Sequence, residues 1–432
     1  MNDWNTKNLA SLAVIKGGKR LPAGQDFAES RTQYPYLRVT NMVNASIDDS
    51  DLKYVPIDIE PLIRKYKISK NDLYVTIAGT LGKFGVIPDH LDNAQLTENA
   101  AKISSINTDT IDKYYLLYFL NSDLIKKQIY REIGIGGGVP KLALYRIEKL
   151  NVNYPSLPFQ KKIVKILSTC DRVISQTEKA IEKYQSIKQG MMMDLFTRGI
   201  DVTTGKLRPS HEEQPDLYKE SKLGLIPKDW KIKKLNDSTY LKGRIGWQGL
   251  KASEFIESGP YLVTGTDFRE GKIDWSNCYH ISEQRYNEAK YIQLKDRDVL
   301  ITKDGTIGKV AFVENCPEKA VLNSGIFLLR CKDDSYINKY MFHLLNSSVF
   351  NSYLYKTLGG STIKHLYQRE FEKFPVPTPS LEEQSRIIKT IDKIDESICC
   401  ELKQLKKYKQ IKAGLMQDLL TGKVQIQTEG VA

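Results

Sequence analysis

The chain repeats itself, and the repeat decides most of what it can fold into. Slid along itself by 224 to 226 residues, the 432-residue sequence matches over almost its whole length. From Leu157 to Arg198 and from Leu381 to Gly422 the copies align without a gap and agree at 16 of 42 positions, where average residue usage gives roughly three. Gln160/Gln384, Asp171/Asp395, Tyr184/Tyr408 and Gly190/Gly414 are among the identities. Two long helices of similar composition can match spuriously, so the remaining segments decide. Trp4 and Leu9 pair with Trp230 and Leu235, Pro35-Tyr36-Leu37 with Pro260-Tyr261-Leu262, and Gly79-Thr80-Leu81-Gly82-Lys83 with Gly305-Thr306-Ile307-Gly308-Lys309. Tyr115, Asn121 and Ser122 pair with Tyr340, Asn346 and Ser347. Matches in strand-like, turn-like and helical segments alike mean duplication.

The repeat sets the boundaries. Each copy has a globular part, residues 1–155 and 227–379, and a helical part, 156–198 and 380–424. Residues 199–226 carry Gly199, Gly205, Pro209, Pro215 and Gly224 with no sustained apolar period, and read as a linker. Residues 425–432 read as a frayed tail. Short β-branched runs at 73–77 and 299–302, with helical spacing over 113–130 and 336–355, predict globular parts of mixed α and β. In the first helical part Ile163, Leu167, Cys170, Ile174, Thr177, Ile181, Tyr184, Lys188, Met191 and Leu195 step by four and three. The second repeats the step with Ile387, Ile391, Ile394, Ile398, Glu401, Leu405, Tyr408, Lys412, Leu415 and Leu419. That is a coiled-coil seam, and a seam needs a partner helix. The economical partner is the other copy. The expected fold is α+β: two homologous globular α/β domains joined by two long helices in an antiparallel coiled coil, pseudo-twofold within one chain.

Charge and motifs narrow the chemistry. With 64 Lys and Arg against 52 Asp and Glu the net charge is +12, which favours a polyanion, nucleic acid first, over the alternative of a merely basic surface. No apolar run approaches the roughly 20 residues of a membrane span, and the N-terminal segment lacks a signal-peptide layout, which points to the cytoplasm. The cysteines Cys170, Cys278, Cys316, Cys331, Cys399 and Cys400 show neither disulfide-framework nor zinc spacing. The Gly-Thr-x-Gly-Lys segments are not phosphate loops. Where that motif needs glycine before and Ser or Thr after, they hold Ile77 and Phe84, or Lys303 and Val310. They read as tight turns with Lys83 and Lys309 at the exit. Gly134-Ile-Gly-Gly-Gly138 and Gly359-Gly360 suit close approach to a DNA backbone, or plain loop flexibility. Asp216 and Glu220-Ser221-Lys222 mimic a nuclease motif, but in a linker too short to aim two carboxylates at one metal. Motifs of hydrolases, metalloproteases and amino-methyltransferases are missing.

Taken together these features resemble the specificity subunit of type I restriction-modification systems. The resemblance rests on Pro155-Ser-Leu157 through Gln160 and Ile163, and on Pro379-Ser-Leu-Glu-Glu-Gln384 through Ile387. Gly190 through Thr197, Gly414 through Thr421, Lys222-Leu-Gly-Leu-Ile-Pro227 leading to Trp230, and the paired turns add to it. It spans essentially the whole chain. Phe159 stands where the family has Glu, and the Trp4 segment follows Met1 without a leader helix. The resemblance implies a non-catalytic subunit with two target-recognition domains reading a bipartite double-stranded DNA target. It implies two copies of an adenine-methylating modification subunit as partners, and a motor-nuclease restriction subunit that can join. S-adenosylmethionine, ATP and Mg would belong to those partners, with no cofactor in this chain. A coiled-coil scaffold joining two protein-binding domains and a self-sufficient nuclease are the alternatives.

Candidate DNA contacts are basic or amide side chains near turns: Arg38, Asn41, Lys83, Lys141 and Arg146 in the first half, Arg244, Lys303, Lys309, Lys364 and Arg369 in the second. Beside the seam, Ile166, Val173, Ala180 and Ile187 form a further apolar row, with Leu402 and Ile411 as a sparser counterpart. Such a row offers a docking face for the modification subunit, or a broad seam covered by lysine stems.

Overall fold

A computed structural model describes residues 4–43, 45–132, 141–245, 249–333, 335–358 and 365–424. The chain divides into two compact units, Met1–Glu178 with Lys403–Ala432, and Lys179–Leu402. Each therefore takes one globular domain, the start of the helix that follows it and the end of the other copy's helix.

In the first unit Val14–Gly17, Ala100–Ser104, Leu73–Thr76 and Phe84–Val86 form an antiparallel sheet in that order. The second unit repeats it with Thr239–Gly243, Ile326–Cys331, Val299–Thr302 and Val310–Phe312. All four residues of Leu73–Thr76 and of Val299–Thr302 are buried, because each strand lies between two cores. Leu73 and Val75 face one, which they share with the helices, and Tyr74 faces the other. Val299 and Ile301 face the one, and Leu300 the other. A period of two sends alternate side chains to opposite faces, so a continuous apolar run is what a doubly covered strand requires. A second sheet in each unit contains one parallel pair, Pro35–Leu37 with Ala94–Leu96 and Ile256–Val263 with Ala320–Leu322.

The helical segments expected over 113–130 and 336–355 are each broken once. Lys113–Leu120 is followed by Asp123–Glu132, and Asn338–Leu345 by Ser348–Leu358. The break falls on the duplicated Asn-Ser pair. Asn121 Nδ2 donates to Leu117 O and Phe84 O, and Ser122 Oγ to Phe119 O; Asn346 Nδ2 donates to Phe342 O, and Ser347 Oγ to Leu344 O. These side chains take up carbonyls that a continuing helix would use.

The long helices span Leu157–Thr197 and Leu381–Leu420. Each begins on a buried glutamine. Gln160 accepts from Asp112 N at 2.7 Å and donates to Thr110 O and Pro155 O; Gln384 accepts from Ile337 N at 2.9 Å and donates to Ser335 O and Pro379 O. The same amide thus bolts each helix to its own domain. In the first unit Ile163 and Leu167 share a core with Leu419 and Leu420. In the second, Ile387 and Ile391 share one with Met192 and Leu195. Within each unit the segments run antiparallel. Asp171 pairs with Lys412 in the first and Lys188 with Asp395 in the second, and these two pairs are copies of each other under the repeat. Both are half-exposed, so each contributes only about 0.2–1 kcal/mol; they mark register more than they hold it. Every seam position read from the sequence is buried or half-buried.

The segment expected to be a linker, residues 199–226, is folded. Tyr218–Ser221 and Gly224–Pro227 make a hairpin, and Ile200 bridges Leu207. Ile200 and Ile226 enter the core of the second domain. Sequence periodicity misses this because the ordering groups are single residues whose partners lie far along the chain. The glycine clusters at 134–138 and 359–360 and the tail 425–432 fall outside the described residues.

Candidate nucleic-acid interface and helical docking face

The duplicated Gly-Thr-x-Gly-Lys turn is built identically twice. After Leu73–Thr76 the chain turns through Gly79 and Gly82, both at positive φ, and returns as Phe84–Val86. Thr76 Oγ1 accepts the Lys83 N–H at 3.0 Å, and Thr76 O accepts the Gly82 N–H at 2.9 Å. In the second domain Thr302 Oγ1 and Thr302 O accept the Lys309 and Gly308 N–H groups, both at 3.0 Å. The glycines are needed for backbone conformation and for room: a Cβ on Gly82 would stand 2.9 Å from Ile129 Cδ1, and one on Gly308 2.8 Å from Leu354 Cδ1. A strand, not a helix, follows each turn, so no phosphate-cradling helix N-terminus is formed. Lys83 and Lys309 are exposed at the exits.

The other sequence candidates divide by environment. Lys141 is exposed and bridges to Ala78, one residue before the first turn. Arg146 lies over the Tyr145 ring at 5.7 Å. Lys303 lies over the Phe327 ring at 5.3 Å, and Arg369 is exposed on Gln368–Phe371. Lys364 falls outside the described residues. Asn41 is 3% exposed, and its amide is consumed locally: Oδ1 accepts the Arg38 N–H, and Nδ2 donates to Asp48 O and Asp51 O. Arg244 is 4% exposed, its Nε donates to Leu322 O, and burial pushes its guanidinium below the ordinary value. These two side chains belong to the fold's interior. A candidate chosen for residue type near a turn cannot be told from a capping residue until the turn is drawn.

Of one further region, sequence reasoning named Arg38 alone. Arg20, Arg38, Thr97, Glu98 and Asn99 line an open cavity of about 440 Å³ in the first domain. They come from three separated stretches, joined by the parallel pairing of Pro35–Leu37 with Ala94–Leu96. Tyr36, also in the wall, is pushed up to about 12 by burial, so it stays a neutral hydroxyl. Among the described residues no cluster of His, Cys, Asp or Glu has the arrangement of a metal site, and no helix is long and apolar enough to cross a membrane.

On the helices, Ile166 packs against the first domain's core. Val173, Ala180 and Leu402 are half-buried, whereas Ile187 and Ile411 are 40% and 43% exposed.

A family model described as type I restriction modification DNA specificity domain matches residues 1–189 and again 227–413. The type I restriction enzyme MjaVIII specificity subunit of Methanocaldococcus jannaschii is 27% identical over 435 residues, covering 98% of this chain and 93% of that protein. The crystal structure of a type I restriction-modification S subunit from M. genitalium superposes with a TM-score of 0.55 at 16% identity, over 99% of this chain and 97% of the other. A structure from work on complex assembly and conformational transition of the type I R-M system gives 0.59 at 16% identity, covering 98% of each chain. These likenesses establish the fold that the two sets of sheets and paired helices describe.

Proposed function

The chain belongs to the type I restriction-modification DNA specificity family, and from that premise we propose that it is the non-catalytic, sequence-reading subunit of such a complex, each domain reading one block of a bipartite DNA target. The observation that carries this reading is the repetition of one domain, turn and exit lysine included, on a pair of antiparallel helices. Two reading heads on one chain match a target in two blocks, as paired heads match two half-sites in twofold DNA-binding proteins. The basic net charge of +12 serves the phosphate-rich partner. The domain boundaries at 155, 227 and 379 are part of the proposal, as is a cytoplasmic site of action. So are partners consisting of two adenine-methylating subunits, with a motor-nuclease subunit able to join. S-adenosylmethionine, ATP and Mg are then used by the partners.

Exchanging residues 1–155 for the corresponding domain of another family member tests the reading directly. Mapping methylated adenines in cells that carry the complex is expected to show one block replaced and the other kept. A change in both blocks together would end the idea of independent heads.

We further propose the flanking row on the first long helix as the docking face for the methylating subunit, with Ile187 its most exposed apolar member. Changing Val173 and Ile187 together to Glu places two charges in that face and is expected to weaken assembly at least tenfold, as hot-spot residues lost from an interface do, by roughly 2 kcal/mol. Analytical ultracentrifugation reads assembly, and circular dichroism checks the fold. Wild-type assembly by the folded variant would locate docking elsewhere.

A further inference from the structure

Because the same domain is built twice in one chain, the chain serves as its own alignment, and the backbone hydrogen bonds give a register that sequence matching misses. Thr97 N donates to Leu37 O at 3.1 Å, and Asn323 N donates to Val263 O at 2.9 Å. Leu37 therefore corresponds to Val263, one residue away from the Pro-Tyr-Leu match, and the second copy has an irregular register within Ile256–Val263 at this point. Arg38 then corresponds to Thr264. Each precedes a 3-10 turn whose last residue accepts its N–H: Asn41 Oδ1 from Arg38 at 3.1 Å, Asp267 Oδ2 from Thr264 at 2.7 Å. Likewise Asn99 O accepts the Ile77 N–H and Gly325 O the Lys303 N–H. Thr97-Glu98-Asn99 and Asn323-Ser324-Gly325 thus occupy the same backbone.

On that common backbone the residues fall into two classes. Thr76/Thr302, the turn glycines and Lys83/Lys309 are the same in both domains. Arg38/Thr264, Thr97/Asn323, Glu98/Ser324 and Asn99/Gly325 differ in charge, size and hydrogen-bonding character while the fold is unchanged. The differing set sits directly beside the shared turn, since Asn99 O also accepts the N–H of Ala78, the residue before Gly79. In the first domain its polar groups are underused. Glu98 has no ion-pair partner among the described residues and bonds through Oε2 alone, to Thr97 Oγ1 at 3.0 Å and Tyr36 OH at 3.5 Å. Among the described residues the Asn99 side-chain amide makes no hydrogen bond, and Arg38 Nε is buried without one although Nη2 pairs with Asp51 at 2.8 Å. Partly buried donors and acceptors left open in a cavity are what a polar ligand completes.

We infer that these differing positions, Arg38, Glu98 and Asn99 in the first domain and Thr264, Asn323 and Ser324 in the second, read base edges in the major groove, while Lys83 and Lys309 hold the phosphodiester backbone. The assignment deepens the function proposed above and rests on it. Its logic is that what both blocks of a target share is the sugar-phosphate chain, and what distinguishes them is bases. A carboxylate accepts from the exocyclic amino group of cytosine or adenine, an asparagine amide serves adenine, and a guanidinium serves guanine. Ser324 and Gly325 offer much less reach, so the second domain reads its block with other groups, Asn323 and Thr264 among them.

The test exchanges the copies' own residues. Gly325 has an ordinary backbone conformation, absent from the positive-φ positions, and a Cβ there would come no closer than 3.8 Å to Asp304, so the position accepts a side chain. Glu98→Ser with Asn99→Gly, and reciprocally Ser324→Glu with Gly325→Asn, are assembled with the methylating subunits. Base preference is read by selection from randomised duplexes and by mapping methylated adenines in cells. The first pair is expected to lower discrimination in one block by on the order of ten- to a hundredfold and leave the other intact. The reciprocal pair is expected to alter only the other block. Lys83→Ala or Lys309→Ala is expected to weaken binding to all sequences alike and to flatten its salt dependence by about one phosphate contact. Unchanged preference in both blocks for both exchanges overturns the inference, and so does a change of base preference caused by Lys83→Ala. If one exchange fails to fold by circular dichroism, the other carries the test. A wild-type complex that selects no two-block target sinks the proposed function itself, an outcome distinct from a two-block target indifferent to the exchanges.

Discussion

Replacing Glu383 with Ala is expected to lower the stability of the second unit by about 3–5 kcal/mol, the usual cost of breaking a buried ion pair from one side. Glu383 is 1% exposed at the start of the second long helix and gathers donors from three places. Ile200 N donates at 2.8 Å, Trp230 Nε1 at 3.1 Å, and both Nη atoms of Arg208 complete the set. Burial works against the Arg208 charge, but the bonds and charge of Glu383 outweigh it and raise the guanidinium above its ordinary value. Without the carboxylate a charged, largely buried guanidinium keeps the exposed Asp229 at 2.9 Å as its ion-pair partner, and the Arg198 carbonyl at 3.1 Å. Glu383→Gln retains an acceptor and is expected to cost less. Chemical denaturation followed by circular dichroism measures both, and a loss below about 1 kcal/mol for Glu383→Ala would show that the cluster relaxes around its absence.

Lengthening both helices is expected to change the gap between the two blocks without changing the blocks. Four residues inserted near Gln176, matched by four near Cys400, add about 6 Å of helix at 1.5 Å per residue, nearly two base-pair steps of about 3.4 Å. Four residues also advance the helix by a little more than one turn, which keeps the apolar stripe close to its face. The insertion must enter both copies because the antiparallel segments are paired, Asp171 with Lys412 and Lys188 with Asp395. Selection from duplexes with variable spacers measures the preferred gap. An unchanged gap with both blocks still selected would separate the helices from the spacing.

What the sequence made legible was whatever repeats or has a period. The seam was readable because every member from Ile163 to Leu195 lies on one stripe, and the doubly buried strands because Leu73–Thr76 and Val299–Thr302 are short, apolar and bounded by turns. The Gly-Thr-x-Gly-Lys turns were readable because glycine at positive φ has a sequence cost that both copies bear. The burial of Asn41 and Arg244 was not legible for a physical reason: a polar side chain near a turn serves the turn or the solvent, and only the path of the backbone says which. The cavity beside Glu98 was invisible because a parallel strand pair assembles it from distant stretches. The ordering of 199–226 was missed because it hangs on one arginine and one glutamate 175 positions apart.

Two tight packings, one in each unit, join a helix end to a globular part. At the end of the first long helix, a Cβ on Gly199 would stand 2.4 Å from the ring of Trp230, which opens the second domain. At the end of the second, a Cβ on Gly422 would stand 2.7 Å from the ring of Trp4, which opens the first. In each unit, therefore, a helix end is closed against the tryptophan that opens that unit's globular part. A single methyl group added at either glycine would wedge that helix end off its tryptophan, so the attachment of a long helix to a domain hangs on the smallest side chain in each copy.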